Sequence, residues 1–357
     1  MILKGHVERR FQMVPIGCKP VWLVLALQRG LCLACGVLRQ VRVDFADPRR
    51  RYMEAFERYA IELCRHMTIQ DVARHLRVSW DVAKEIQKPY LQRRYTRPKL
   101  SKLTRIAIDE ITIGKGHRYL TVVVDLGSGA VVFVGDGKGS EALLPFWKRL
   151  RPSKARIEAV AIDMSPAYIR AVMDHLPQTA IIFDHFHIIK IFNDKLSDLR
   201  RKLYNEARTA LEKRLIKGTR WLLLKNPENL DPERNEALRL RLALEINQPL
   251  ATAYYLKEDL RQPWSQDNKA KAEAFLSGWI ARAESSAVDI LIKLAHTLAA
   301  HRTGILSYYD HPISTAPLEG TNNKIKTMKR QAYGFRDMAF FKLKIMAIHD
   351  ARYALVG

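Results

Sequence analysis

Residues 105–134 read RIAIDEITIGKGHRYLTVVVDLGSGAVVFV and indicate the class of fold. Short apolar runs separated by turn residues are typical of adjacent β-strands. We expect strands at Arg105–Asp109, Tyr119–Asp125 and Ala130–Val134, with a glycine-rich turn at residues 127–129 before the last one. The pattern predicts three antiparallel strands in a meander.

Helices and strands alternate after this meander. The predicted elements are a helix at Ser140–Leu150, a strand at Ile157–Asp163, a helix at Pro166–Leu176 and a strand at Thr179–Asp184. Three strands followed by helix, strand, helix and strand is the order of a ribonuclease-H-like domain, a mixed sheet with helices on its faces. We therefore predict a multidomain α/β chain built on such a sheet.

The rest of the chain after this sheet has helical periodicity. Residues 187–310 carry it throughout, and no β pattern returns. A helix is then predicted from Pro317 to about Arg330, an end at Gly334, and a last amphipathic helix from Asp337 to Tyr353. The sequence thus predicts a long α-helical insertion followed by C-terminal helices.

Three helices are predicted before the sheet. Residues 46–66 form the first, with Met53, Phe56, Ala60 and Leu63 on one face. Thr68, followed three residues later by Asp71 as in a capping box, opens the second, and Ser79 caps a third that ends near Pro89. The basic segment Gln92–Lys102 is predicted to be a linker.

The second and third helices, separated by a short break at Arg77 and Val78, form a helix-turn-helix pattern. The second helix of such a pair enters the DNA major groove. Its outward-facing residues are expected to be Trp80, Asp81, Lys84 and Glu85, with Trp80 and Lys84 as DNA contacts. Many helical pairs look like this one, so the interpretation as a DNA-binding motif depends on the charge of the chain.

That charge indicates a polyanionic partner. Lys and Arg total 60 against 37 Asp and Glu, a formal net charge of +23. Nucleic acid is the first candidate and an anionic membrane surface the second. The longest apolar run, Val21–Leu27, is far shorter than the roughly 20 residues of a spanning helix. No signal peptide is recognised, and four cysteines fit a reducing cytoplasm better than a disulfide scaffold.

A second basic feature lies in the helical region. Residues 190–225 hold 11 Lys or Arg against 4 Asp or Glu. A solvated helix face is one explanation, but so uneven a cluster favours a surface for DNA phosphates. Its strongest candidates are Arg200, Arg201 and Lys202.

Acids at strand ends carry the predicted chemistry. A carboxylate there is costly to bury unless it is paired or bound to a metal. Asp109 and Asp163 close two neighbouring strands of the predicted order, and Glu319, on a helix, is the best candidate for a third acid. Oxygen ligands favour magnesium or manganese, which in pairs catalyse phosphodiester chemistry. Any one acid alone is more simply a cap or surface charge; the three together favour the metal site.

Amide and basic side chains follow Glu319 along its helix. We expect them to hold DNA phosphates beside the metals. They are Asn322, Asn323, Lys324, Lys326, Lys329 and Arg330.

Five segments carry a resemblance to a known family. They are Ile108-Asp109-Glu110, AIDMS at 161–165, FDHFHI at 183–188, LEGTNNKIK at 318–326 and AYGFR at 332–336. Together they look like the ISL-three (ISL3) family of bacterial insertion-sequence transposases, over nearly the whole chain. The resemblance implies a DDE-type acid triad on a ribonuclease-H-like fold at Asp109, Asp163 and Glu319. It also implies a helical insertion before the last acid.

Asp184 and His187 resemble the D-x-x-H motif of transposases that have such insertions. In those proteins the pair would brace the active site or contact the scissile strand. Alternatively, His187 is a core histidine with a satisfied hydrogen bond.

The cysteines depart from the family pattern. Members usually carry two C-x-x-C hooks in an N-terminal zinc-binding domain, whereas Cys32 and Cys35 form one hook here. Zinc needs four ligands, and His6 and Cys18 are the nearby candidates to complete the set. The first hook is missing because the start is truncated or because the hook was lost. We expect a degenerate zinc-ribbon-like region without zinc, although Cys32 and Cys35 stay the residues to test.

These interpretations predict a DNA transposase with Mg²⁺ or Mn²⁺ as cofactor, in the bacterial cytoplasm at the nucleoid. It would bind the double-stranded inverted-repeat ends of its element, cleave them and join the 3′ ends to target DNA, as a homodimer or larger assembly and without a membrane. A ribonuclease-H-like structure-specific nuclease and a non-catalytic DNA-binding regulator are the alternatives. The predicted regions are 1–45 (degenerate zinc ribbon), 46–100 (helix-turn-helix and linker), 101–189 (catalytic, first part), 190–312 (insertion) and 313–357 (catalytic, C-terminal helices).

Overall fold

A computed structural model describes residues 2–114 and 116–351 of the chain. Its contacts divide the chain into two compact units. One comprises Met1–Lys99, Ala130–Val134 and Glu319–Gly357, and the other comprises Leu100–Gly129 and Gly135–Leu318.

The chain begins with a three-stranded antiparallel sheet. Its strands are β1 (Ile2–Ile16), β2 (Lys19–Leu31) and β3 (Leu38–Gln40), in the order β1-β2-β3. Short β-like runs, such as Pro20–Leu27 and Val37–Val43, predict a small N-terminal β region, but the long β1-β2 hairpin was not foreseen. Phe11 and Gln12 are the buried positions of β1, so this strand lacks the apolar alternation by which a half-buried strand is recognised.

Three helices follow this sheet. They are α1 (Glu54–Leu63), α2 (Ile69–Leu76) and α3 (Trp80–Tyr95). The side chains of Thr68 and Ser79 cap α2 and α3 as predicted, and Arg77 makes the break between them in a left-handed conformation, with φ 53°.

Two predicted helix ends were wrong. The first helix starts at Glu54 rather than at residue 46, because the backbone of Met53 is still extended. The third helix passes through Pro89 and ends at Tyr95. A proline inside a helix removes one backbone hydrogen bond, and burial of Ile86 and Leu91 on either side of Pro89 holds this helix together.

The C-terminal helices are α13 (Ala316–Gln331) and α14 (Met338–Met346). Gly334, with φ 100°, separates them as predicted. The last helix ends earlier than expected, at Met346, and Tyr353 lies outside the described residues. Phe340 of α14 is buried in one hydrophobic core with Phe56, Val72 and Ile86 of the first three helices.

The main sheet has five strands in the order β6-β5-β4-β7-β8. These are β4 (Arg105–Gly114), β5 (Arg118–Asp125), β6 (Val131–Asp136), β7 (Ala159–Ile162) and β8 (Ala180–Phe183). Strand β4 pairs antiparallel with β5 and parallel with β7, and β7 pairs parallel with β8. The sheet is therefore mixed, as predicted.

One detail of β4 corrects the sequence prediction. The strand does not end at Asp109 but continues to Gly114, because residues 109–112 pair with β5 on the antiparallel side. Asp109 thus lies inside a strand, at the point where its parallel neighbour β7 has stopped.

Helices surround and follow this sheet. They are α4 (Ser140–Leu150), α5 (Pro166–His175), α6 (His185–Glu206), α7 (Ala210–Lys217), α8 (Glu236–Glu245), α9 (Gln248–Asp259), α10 (Lys269–Glu284), α11 (Asp289–Ala300) and α12 (Arg302–Leu306). The predicted helical run after residue 187 is confirmed. Helix α12 packs on β8, where a β-carbon on Gly304 would collide with the ring of Phe183. Over the described parts of the chain, no helix has the length and apolarity to cross a membrane.

Candidate active site

Three aspartates occupy equivalent register positions in the main sheet: Asp109 lies within β4, and Asp163 and Asp184 directly follow β7 and β8. Ala107 of β4 pairs with Ala161 of β7, so Asp109 and Asp163, each two residues further on, correspond to each other. Ile162 of β7 pairs with Phe183 of β8, and the amide of Asp184 donates to the carbonyl of Ile162 at 3.2 Å. Asp109, Asp163 and Asp184 therefore form a row across the sheet. Side chains two residues apart share a face, which places Asp109 and Asp163 on the same side.

Asp109 and Asp163 are both half-buried. Oδ1 of Asp109 accepts a hydrogen bond from the amide of Glu110 at 2.8 Å, and Oδ1 of Asp163 accepts one from the amide of Ser165 at 3.0 Å. Burial raises the pKa of Asp109 to about 6, helped by the negative charges of Glu110 and Asp163 and opposed by the Glu110 amide and His187. The surroundings of Asp109 within the chain thus disfavour its ionised form.

This donor chemistry fits a divalent cation. Two carboxylates on one sheet face offer only oxygen ligands, which magnesium and manganese prefer. A bound cation would offset the burial that raises the pKa of Asp109, and also the smaller repulsion from Glu110 and Asp163. Among the described residues no three His, Cys, Asp or Glu side chains form a ready metal-binding group. Within the described part of the chain, the pair alone is therefore not a three-ligand metal group.

Asp184, the third aspartate of the row, is buried and used structurally. Its Oδ1 accepts from the amide of Phe186 at 2.9 Å and caps α6, while Oδ2 accepts from both the amide (3.2 Å) and the hydroxyl of Thr315. Burial alone would raise the pKa of Asp184, but interactions with His187 and Thr315 outweigh it, so the pKa is lowered. This carboxylate stays ionised because Phe186, Thr315 and His187 stabilise its negative charge.

His187 lies one turn into α6, beside the aspartate row. Its Nδ1 is 3.8 Å from Oδ2 of Asp184, which is an ion-pair distance but too long for a hydrogen bond. The Asp184 carboxylate raises the pKa of His187 against the opposing effect of burial, and the charges of Asp109 and Asp163 raise it further. The structure thus brings the predicted Asp184 and His187 together with the two acids.

Sequence reasoning missed two groups behind this row. Thr315 was part of no motif, and only contact with Asp184 identifies it. The buried Tyr168 hydroxyl lies 3.1 Å from Thr121 Oγ1, and Thr121 pairs with Glu110 in the sheet. Burial raises the pKa of Tyr168, and the hydrogen bond with Thr121 opposes this. No local sequence signal marks either residue, because both act through long-range contacts.

Glu319 lies in the first turn of α13 and is exposed. The boundary between the two units falls between Leu318 and Glu319. Of the polar residues after Glu319, Asn322 is buried, Lys324 and Lys329 are half-buried, and Asn323, Lys326 and Arg330 are exposed.

The predicted recognition helix, α3, presents Trp80 and Asp81 to solvent, and the Trp80 side chain is 41% exposed. Lys84 does not face outward as predicted. Its Nζ is 2.9 Å from Oδ2 of Asp337, which also binds Lys88 at 2.7 Å, and only 20% of the Lys84 side chain is exposed. Asp337, which lies at the start of α14 and is distant in the sequence, binds Lys84 and keeps most of its side chain away from solvent.

The basic residues of the insertion lie on α6. Arg201 and Lys202 are exposed and make ion pairs with Asp198 (3.1 Å) and Glu206 (3.9 Å). Arg200 is half-buried, and burial together with the charges of Arg220 and Arg201 lowers its pKa. Arg201 and Lys202 are thus the accessible cations of the three.

Cys32 and Cys35 lie next to each other beyond the end of β2. Hydrogen bonds from the backbone and side chain of Cys35, then from the backbone of Ala34, lower the pKa of the Cys32 thiol. Cys35 and Cys18 are exposed, whereas Cys64 belongs to the buried core of the first three helices.

Comparisons with known proteins connect both regions to one family. A family model described as a transposase matches residues 106–345, and one described as the helix-turn-helix domain of transposase family ISL3 matches residues 41–91. The transposase for insertion sequence element IS1001 of Bordetella parapertussis is 37% identical over 342 residues, covering 95% of this chain and 84% of that protein. The transposase for insertion sequence element IS1557 of Mycobacterium tuberculosis H37Rv is 30% identical over 379 residues, covering 99% and 84%.

Proposed function

We propose, because this chain belongs to the ISL3 family of transposases, that it acts on the ends of an insertion sequence. It binds the inverted repeats as double-stranded DNA, cleaves the strands there and joins the 3′ ends to target DNA. Two ends must be handled together, so a homodimer or larger assembly is expected on DNA. The catalytic sheet is proposed to be ribonuclease-H-like, in line with its mixed strand order.

The observation that carries this proposal is the row of aspartates across β4, β7 and β8. Asp109 and Asp163 face one side of the sheet, where burial raises the pKa of Asp109 to about 6 although the charge of His187 opposes the rise. A carboxylate pair of this kind is expected where charge is to be supplied by a bound metal.

Asp109 and Asp163 would hold Mg²⁺ or Mn²⁺, with Glu319 as the third ligand by its place in the family motif. When bound, two such ions activate the attacking oxygen and stabilise the leaving oxygen of a phosphodiester. Asp184 braces this edge of the sheet through Thr315 and α6. His187, whose pKa is raised by Asp184, would donate a hydrogen bond to a phosphate oxygen of the scissile strand.

DNA is proposed to contact three parts of the chain. Helix α3 would enter the major groove with Trp80 and Asp81 as the accessible base readers. The exposed cations of α6 would contact phosphates, and so would the amide and basic residues after Glu319. Phosphate contacts position the enzyme, whereas base contacts select the end sequence.

The test is incubation of the purified chain with a duplex carrying its element end, a target duplex and Mg²⁺. Cleavage at the element end followed by joining to the target supports the proposal. Cleavage without joining would instead indicate a structure-specific nuclease, and binding without cleavage a regulator. EDTA should abolish cleavage and leave duplex binding intact, because the metal serves chemistry rather than docking.

A further inference from the structure

A groove of about 1080 Å³ lies within the unit that contains the helix-turn-helix. Its lining includes Arg74 and Trp80 on one side and Tyr333, Phe335, Arg336 and Asp337 on the other. This volume of about 1080 Å³ slightly exceeds the range of about 300–1,000 Å³ that is usual for ligand pockets. We call it the Tyr333 groove.

Tyr333 is held in an unusual way in this groove. Its backbone is in the left-handed region, with φ 51°, and its side chain is fully exposed. A bulky residue is disfavoured in that conformation. The hydrogen bonds that close α13, from the amides of Tyr333 and Gly334 to the carbonyls of Arg330 and Lys329, hold the backbone there, and the exposed ring adds no packing. Strain of this kind that persists in a structure points to a role outside folding.

The loop that carries Tyr333 is anchored just after it. The ring of Phe335 stacks on Phe341, with centroids 4.5 Å apart and an interplanar angle of 21°. Asp337 binds Lys88 and Lys84 and caps α14 by accepting from the amide of Phe340. Tyr333 is therefore presented to solvent by a short, well-tethered segment.

The opposite side of the groove offers a second aromatic surface and positive charge. Trp80 is 41% exposed, and Lys84 Nζ lies 4.9 Å from the centroid of its ring. Arg74 and Arg336 are exposed, whereas the negative charge of Asp337 is neutralised by two lysines. Arg74 also pairs with Asp71, a further lining residue, at 3.9 Å, but both guanidinium groups remain open to solvent. Two accessible aromatic rings with exposed guanidinium groups suit a partner that is flat, apolar on its faces and negatively charged at its edge.

We propose that the Tyr333 groove binds an unpaired nucleotide of the bound DNA. The base stacks on the ring of Tyr333, and a flanking phosphate is held by Arg74 or Arg336. A paired base inside a duplex has both faces covered by its neighbours, so an exposed tyrosine ring selects a base that has left the stack. This inference rests on the proposed function, since it takes DNA ends as the ligand.

The test uses two forms of an element-end duplex. In one, a strand extends past the duplex with 2-aminopurine as the unpaired base, and in the other the same position is paired. Stacking on an aromatic side chain is worth about 1–3 kcal/mol per base, so the chain should bind the unpaired form at least about fivefold more tightly. The 2-aminopurine fluorescence should be quenched on binding.

The variants separate stacking from folding. Tyr333→Phe should keep the preference for the unpaired form, Tyr333→Ala should lose it, and all should bind the paired form equally. Tyr255→Ala is the matched control, because Tyr255 is also exposed (61%) but belongs to α9. Tyr333→Gly should lose the preference while the melting temperature stays level or rises, because glycine tolerates the positive φ.

Four results would overturn the inference. The first is that the wild type binds the paired duplex without preferring the unpaired form. The second is that Tyr333→Ala keeps the preference. The proposed function survives either of these two results. A lower melting temperature for Tyr333→Gly would assign Tyr333 to structure. Failure of wild type to bind either duplex would overturn the proposed function and this inference together.

Discussion

Asp184 and Thr315 are hydrogen-bonded across 131 residues of the chain: Oδ2 of Asp184 accepts from the Thr315 amide at 3.2 Å and from its hydroxyl. Asp184 directly follows strand β8, and Thr315 immediately precedes α13. The long helical insertion thus begins and ends at one buried carboxylate. The resemblance to transposases implied that Asp184 braces the active site or contacts the scissile strand, and in the structure its carboxylate closes this loop of chain.

Thr315→Val should destabilise the protein by about 1–3 kcal/mol, because a buried carboxylate is left short of one donor. Urea unfolding at neutral pH measures the change. Thr315→Ser keeps the hydroxyl and should restore most of the stability. Equal stability of wild type and Thr315→Val would show that the hydroxyl contact is dispensable.

Glu319→Gln should abolish cleavage while end binding is retained or improves. The amide keeps the shape of the side chain but removes the charge of a proposed metal ligand, whose loss is worth several kcal/mol. At about 1.4 kcal/mol per tenfold change, a fall of at least a hundredfold is expected. Asp163→Asn should behave alike in a labelled-duplex cleavage assay with Mg²⁺. Glu110→Gln and Asp184→Asn are controls that should retain some metal-dependent cleavage, and a Glu319→Gln enzyme of normal speed would remove Glu319 from the site.

Low pH should weaken the ion pairs that Lys84 and Lys88 of α3 form with Asp337, the cap of α14. The hydrogen bond from Lys88, then the amide of Phe340 and Lys84, hold the pKa of Asp337 well below its usual range. A carboxylate whose pKa is lowered by folding stabilises the protein fully at pH values above its pKa in the unfolded chain, about 3.9. This stabilisation is lost as the pH falls through its pKa in the folded protein. Near pH 7 the free energy of unfolding of the wild type should exceed that of Asp337→Asn by about 1–2 kcal/mol. The upper figure is reduced because the side chains of the ion pair are partly exposed to solvent. The gap should begin to close below about pH 4; a constant gap down to strong acid would contradict this.

Charge reversal on α6 should weaken DNA binding in a salt-dependent way. Arg201→Glu and Lys202→Glu remove exposed cations, so affinity for any duplex should fall most at low salt, and the salt slope should flatten by about one unit per lost contact. Lys293→Glu, at another exposed position of the insertion, is the matched control. If the three variants weaken binding equally, the effect is one of net charge and not of a phosphate-binding surface.

Changes at Asp81 should alter which sequence is bound. This exposed acid lies in the first turn of α3, where the residues of a recognition helix reach base edges. Asp81→Ala should relax discrimination among variant ends, with about 1–3 kcal/mol lost at one base pair and an unchanged salt slope. A competition assay against end variants measures this, and an unaltered ranking of sequences would argue against the groove-reading orientation.

Local sequence patterns predicted most of the fold. Caps at Thr68 and Ser79 and the helix Ser140–Leu150 are confirmed, because capping and amphipathic spacing act over a few residues. The mixed sheet followed from the order of short apolar runs. The hairpin of β1 and β2 was missed because its strands bury few side chains and stabilise one another mainly by backbone pairing.

The candidate site was predictable in part, for the same reason. Motif spacing identified Asp109, Asp163, Asp184 and His187, and strand register accounts for their proximity. Motif spacing could not distinguish the roles of these residues, because the structural role of Asp184 depends on its hydrogen bonds with Thr315, which lies on a distant segment. The outward orientation predicted for Lys84 was wrong for the same reason, since its partner Asp337 follows 253 positions later. The role of Glu319 stays a prediction.

The close approach of Gly304 to Phe183 bears on how this protein can be re-engineered. A side chain larger than hydrogen at position 304 would require the Phe183 ring, on the strand that leads to Asp184, to move. The insertion is consequently not a cassette that can be grafted from one relative to another at its two ends. A chimera would also have to carry β8, or at least match the residue at position 304 to the one at position 183. We expect exchanges that ignore this pair to yield misfolded chains whatever the quality of the new insertion.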